Sequence, residues 1–270
     1  MKRVLKALSA LAGTALAAFA GRFIALRLTQ RAYEKLNVST ETVPYLTGIP
    51  AFLYSHADIL VTLCMLLFAL CAALLLRDLN AHEKTRFSPK LLLLLPAAAA
   101  VGCLSVRLLA EMDEIRFMPE LSRGSVGEYL CMALFCLLQA LLIRDCVGLS
   151  LGDALGEWTS CAVSALLQAA LLAFVYGSFS PVLLLNGLLF GFSAQKLYFV
   201  RRSVLPESFL SFGFTAAHKL LSGYPDGGAY YVSGSVLAGG ARGITGSLLL
   251  TVYLAAALML LLRKRRNSNG

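Results

Sequence analysis

Ser180-Pro-Val-Leu-Leu-Leu-Asn-Gly-Leu-Leu-Phe-Gly191 begins an apolar run that continues to Val200 with a single charge, Lys196. At about 1.5 Å per residue, some twenty such residues form a helix roughly 30 Å long, the thickness of a bilayer's hydrocarbon core. Gly177-Ser-Phe-Ser-Pro181 breaks the chain ahead of it. Working outward, runs of the same kind cover residues 1–28, 52–76, 91–110, 129–143, 154–176, 207–221 and 244–262.

Composition agrees with these runs. Hydrophobic residues make up 58% of the chain and charged residues 14%, and the mean hydropathy is +0.74. Soluble domains carry about a quarter charged residues. The expected fold is all-α, a polytopic transmembrane helical bundle. The net charge of +9 sits in short clusters between apolar runs. It reads as topology signals and attraction to anionic lipid, not as a nucleic-acid surface. The 7 cysteines lie in apolar stretches without Cys-x-x-Cys or Cys/His spacing, so neither a disulfide framework nor a metal site is expected.

The connectors set the topology. Lys2, Arg3 and Lys6 precede an apolar stretch ending in Ala18-Phe-Ala20, as in a signal peptide. Phe23-Ile-Ala-Leu-Arg-Leu28 prolongs that stretch, which favours an uncleaved first helix with Arg22 snorkelling. His56 and Asp58 are two apart, so on a helix they point in different directions and make no ligand pair. Residues 77–90 are basic, with Pro89 placed to start the third helix, and residues 111–128 are acidic. Gly223-Tyr-Pro-Asp-Gly-Gly228 is a turn. The glycine-rich residues 229–241 are too few to span and are expected to form a short partial helix. With eight crossings, the basic groups at 2–6, 77–90, 144, 196–202 and 263–266 all face the cytoplasm. Both termini are therefore expected inside, in a multi-pass protein of the cell membrane.

Three short motifs follow one another in the last third of the chain: Gly187-Leu-Leu-Phe-Gly191, Phe214-Thr-Ala-Ala-His218 and Thr245-Gly-Ser-Leu248. In order and spacing they resemble the CAAX protease and bacteriocin-processing (CPBP) family of intramembrane endopeptidases. That family carries E-E-x-x-x-R before a G-L-L-F-G-like run, then F-x-x-x-H, then T-G-S-L and H-x-x-x-N. The resemblance implies a helical core over 177–262, after N-terminal transmembrane helices at 1–176 and before a basic tail at 263–270. It also implies that Asn186, His218 and Ser247 line one polar cavity, since the family fold would bring their helices together.

The family's chemistry is peptide hydrolysis, with a glutamate as general base and histidine and asparagine as metal ligands or oxyanion donors. Here the glutamate positions fall on Pro181 and Val182 and the arginine position on Asn186. The final histidine and asparagine fall on Ala255 and Met259. Of the polar set only His218 remains, and one imidazole cannot fill every role. The reading is a non-catalytic relative without cofactor or metal, whose partners are membrane lipids and a membrane protein or peptide. Two alternatives stand beside it. One is an active hydrolase whose base is Glu157, Glu207 or Asp58. The other is a small transporter, for which the glycine-rich stretch is the helix break. Asn186 reads equally well as helix–helix glue, and so do Gln139, Gln168 and Gln195.

Overall fold

The computed structural model describes residues 2–35, 51, 54, 57–76, 89–112, 115–117, 126–175, 179–222, 230–232, 237 and 246–268. The chain divides into two compact units, Met1–Leu79 and Asn80–Gly270. In the first, α1 (Lys2–Lys35) pairs with α2 (Ala57–Leu76). Thr14 and Ala25 of α1 are buried there, and a Cβ on Gly21 would stand 2.7 Å from Phe68 Cβ.

The second unit is a helical bundle. A 3₁₀ turn, Pro89–Leu93, leads into α3 (Leu94–Glu111), so the helix does begin at Pro89. Next comes α4 (Val126–Ala140), which continues through a π-helical segment, Leu141–Gly148, into α5 (Leu149–Leu155). Gly156, at φ 92°, breaks the path in a conformation that side-chain-bearing residues rarely adopt. After it run α6 (Glu157–Val175), α7 (Pro181–Arg201), α8 (Leu205–Ser222) and α9 (Leu248–Ser268). Proline opens α7 because its missing N–H is one that no helix needs at that position.

Among the described residues, four helices are long and apolar enough to cross a membrane: Leu91–Glu111, Val126–Leu155, Glu157–Val175 and Pro181–Arg201. Ile59–Leu75 and Leu248–Arg263 are shorter apolar helices. The architecture is the all-α bundle that composition predicts. Close pairs are α3 with α8, α6 with α7, and α9 with α7. Gly187 and Gly191, the glycines of the G-L-L-F-G run, let α7 lie against α6. A Cβ at those positions would stand 2.5 Å from Ala169 Cα and 2.6 Å from Ala165 Cα. The packing thus runs across the 176/177 boundary drawn from the motifs.

Two details differ from the sequence reading. The helices placed at 129–143 and 154–176 are separated at Gly156, not at residues 144–153, because the π segment carries the first helix on to Leu155. Within the glycine-rich stretch, Tyr230–Val232 is a strand rather than helix. It pairs antiparallel with Ile115–Phe117, in the register Ile115 to Val232, Arg116 to Tyr231 and Phe117 to Tyr230. Residues 229, 233–236 and 238–241 lie outside the described residues. The pairing requires both connectors to emerge at the same end of the bundle.

Candidate functional site: a buried ion pair in a glutamine network

The largest fully buried side chain among the described residues is Arg144, a residue the sequence reading assigns to a cytoplasmic connector. It lies inside the π segment and is 0% exposed. Its partner is Glu207, in the first turn of α8 and 4% exposed. Arg144 Nε donates to Glu207 Oε2 at 3.0 Å and Oε1 at 3.2 Å, and Nη2 donates to Oε1 at 3.0 Å. Nη2 also donates to Gln168 Oε1 at 2.9 Å, and Gln168 Nε2 donates to Gln139 Oε1 at 3.2 Å. Nη1 meets no acceptor among the described residues. The guanidinium carbon lies 5.8 Å from the centre of the Phe190 ring, close enough for the ring face to offset part of the charge.

Side chains from neighbouring helices account for the π segment. Arg144's carbonyl accepts from Leu149 N–H and, at 3.5 Å, from Gln195 Nε2. Ser160 Oγ donates to the Gly148 carbonyl at 2.5 Å. Gln195 is itself anchored by Ser164 Oγ at 3.0 Å. Its amide fits only because residue 148 is glycine: a Cβ there would stand 2.3 Å from Gln195 Oε1. Polar groups wedged into the ladder widen a helix in this way.

Lys196 is also buried, 1% exposed, although the sequence reading places it among cytoplasm-facing charges. Its Nζ reaches Glu157 Oε1 at 2.5 Å and stands 4.4 Å above the Trp158 ring. Tyr198 Oη donates to Asp145 beside it. These pairs and Arg144–Glu207 lie at one end of the bundle. At the other end Lys219 Nζ meets Glu128 Oε2 at 2.7 Å. From Glu128 to Arg144 along the Val126–Leu155 helix is about 24 Å, and from Glu207 to Lys219 along α8 about 18 Å, at 1.5 Å per residue. Two ion pairs therefore clamp these antiparallel helices near both ends, with a mainly apolar slab between that also holds Gln139, Ser208 and His218.

Of the three residues expected to share a cavity, two are bonded to each other. Asn186 and Ser247 meet: Asn186 Nδ2 donates to the Ser247 carbonyl at 2.9 Å, and Thr251 Oγ1 donates to Asn186 Oδ1 at 2.6 Å. Both are buried, and together they tie α7 to α9. Ser247 Oγ accepts from Leu250 N–H at 3.1 Å, capping α9. This accounts structurally for the serine of Thr-Gly-Ser-Leu. His218 is buried, 3% exposed, on α8, whose main neighbours are α3 and α4. Of the carboxylates proposed as a relocated base, Glu207 is bound to Arg144 and Glu157 to Lys196. The side chain of Asp58 and residue His56 lie outside the described residues. Among the described residues, no group of three or more His, Cys, Asp or Glu is placed to hold a metal ion.

Sequence reasoning missed the Arg144–Glu207 pair itself. A usable signal lay in the glutamines, because three residues read separately as glue all prove to belong to the surroundings of Arg144. No protein-family model, no curated protein and no solved structure matches the chain.

Proposed function

We propose that this chain is a multi-pass membrane protein with a CPBP-like core that binds or scaffolds a membrane protein or peptide and does not cleave it. The supporting observation is the engagement of Glu207, the only carboxylate in the buried class among the described residues. Both of its oxygens are taken by Arg144, and the neighbouring Gln168 and Gln139 amides cannot accept a proton at neutral pH. A general base needs a free lone pair within reach of a water or substrate. The spacing of Gln139-Ala-Leu-Leu-Ile-Arg144 is that of E-E-x-x-x-R, with glutamine and alanine at the glutamate positions. This register competes with the one ending at Asn186, and in either one the acid is missing. Both termini are assigned to the cytoplasm on residues 2–6, 77–90 and 263–266, since Arg144 and Lys196 are not loop charges.

The test is hydrolysis by protein reconstituted in vesicles, offered a fluorogenic prenylated peptide and a labelled transmembrane peptide. The expected result is retention of intact peptide with no cleavage above protein-free vesicles. Reproducible cleavage that disappears in Glu207→Gln or His218→Ala overturns the proposal. A transporter is the second reading, favoured by the chain break at Gly156 beside the buried Lys196–Glu157 pair, because broken helices and buried charges mark transport paths. Solute flux dependent on Lys196 would establish it.

A further inference from the structure

The far end of α1 carries Arg27, Arg31 and Lys35 at intervals of four residues, hence in one stripe along the helix. All three are exposed, while Thr14, Gly21 and Ala25 make the buried face. We infer that this stripe is a binding surface for the phosphate head groups of anionic phospholipids.

The depth rests on the sequence reading of residues 1–28 as the first crossing, since α1 is not among the four helices named above. Residues 7–26 contain one charge, Arg22, and twenty residues at 1.5 Å give about 30 Å, the hydrocarbon thickness. Arg27 then stands at the hydrocarbon border, with Arg31 about 6 Å and Lys35 about 12 Å further out. The head-group layer occupies roughly the first 5–7 Å of that distance. Arg27 and Arg31 lie within it, and Lys35 can reach back along its flexible stem.

The charges are available. Arg27's guanidinium carbon lies 5.3 Å from the Phe23 ring, so an aromatic face rather than an acid is its neighbour. The one acid of α1, Glu34, accepts from Gln30 Nε2 at 3.2 Å. None of the three cations forms an ion pair with a carboxylate among the described residues. Arginine suits phosphate oxygens through its planar pair of donors. The stripe continues directly from apolar side chains exposed on the same helix, including Phe23, Ile24 and Leu26. The polyanion it meets first is therefore the bilayer's own head-group layer, not a nucleic acid or an acidic protein.

The test is native mass spectrometry of delipidated full-length protein titrated with phosphatidylglycerol or phosphatidylcholine of identical chains. Wild type is expected to prefer phosphatidylglycerol by about tenfold or more, since each cation near an anionic surface contributes measurably. In Arg27→Gln/Arg31→Gln/Lys35→Gln that preference should fall to within about twofold, with Arg31→Gln alone intermediate. The tail variant Arg263→Gln/Arg265→Gln/Arg266→Gln should keep it. An equal thermal transition in all variants shows that folding is intact. Equal binding of the two lipids by wild type, or a preference that survives the triple substitution, overturns the inference.

Discussion

Glu207→Gln is the sharpest probe of the buried centre, because it changes charge while keeping shape. Three contacts of 3.0–3.2 Å join this carboxylate to Arg144, and Gln168 adds a neutral acceptor at 2.9 Å. The substitution removes the counter-charge and turns an –NH₂ toward a guanidinium that has only donors. Arginine cannot relieve the conflict by losing its proton. Breaking a buried ion pair from one side costs about 3–5 kcal/mol. For a chain of this size that corresponds to roughly 10 °C in the unfolding midpoint.

The reverse truncation, Arg144→Met, should also destabilise, because it leaves Glu207 buried without its counter-charge. Arg144→Met/Glu207→Leu should return to within about 1 kcal/mol of wild type or exceed it, since apolar replacements avoid the desolvation of both ions. A thiol-reactive dye in detergent follows the transition. Cys131, Cys136, Cys146 and Cys161 are buried and report unfolding, while Cys64, Cys71 and Cys103 are exposed and set the baseline. The reasoning fails if Glu207→Gln melts within 2 °C or so of wild type, or if the double variant is less stable than either single one.

Other expectations follow from the packing. Gly187→Val and Gly191→Val drive side chains into the α6 backbone, where even a Cβ would stand 2.5–2.6 Å from Cα atoms. Each should lower stability by about 1–3 kcal/mol or more in the same dye assay. Gln195→Leu removes the wedge at the Arg144 carbonyl, and amide hydrogen exchange over 144–149 should change more than elsewhere in the bundle. Asn186→Leu severs the link from α7 to Ser247 and Thr251. It should cost about 1–3 kcal/mol, since the Thr251 hydroxyl and the Ser247 carbonyl both lose a partner.

What could be read from the sequence, and what could not, follows from the range of the forces involved. The helices were legible because burial in lipid leaves a local mark: a run of apolar side chains about as long as the hydrocarbon core is thick. The opening of α7 at Pro181 was legible for the same reason, one residue's geometry deciding it. Asn186 has two sequence readings, cavity lining beside His218 and Ser247 or helix–helix glue; in the structure it bonds to the Ser247 carbonyl and ties two helices, while the Ser247 hydroxyl caps one of them. Arg144 left no such mark. Flanked by Ile143 and Asp145, it looks like the polar joint between two short helices. Its counter-ion stands 63 residues away, on a helix that only packing brings near.

The same ambiguity explains why Arg144 and Lys196 read as connector charges in the sequence. A helix running unbroken from Val126 puts Arg144 about 27 Å along its axis, near the far edge of the hydrocarbon and not at its centre. Its depth is thus close to that of the connector it was taken for, and Lys196 likewise lies near the end of α7. What the linear pattern cannot tell is whether a charge at that depth turns outward to head groups or inward to a partner. For Arg144 the inward choice is affordable only because Glu207 arrives from the start of α8 at the same level, as Glu157 does for Lys196 from the start of α6. Helix ends that coincide in depth are what allow charges to be buried there. The Lys219–Glu128 pair at the opposite end obeys the same condition. Moving Glu207 one turn deeper, by exchanging it with Ser211, should therefore lose more stability than Glu207→Gln: it would leave Arg144 stranded and, about 6 Å further into the slab, create a second charge without a partner. A double variant Glu207→Ser/Ser211→Glu that unfolds no earlier than Glu207→Gln in the dye assay would refute the argument from depth.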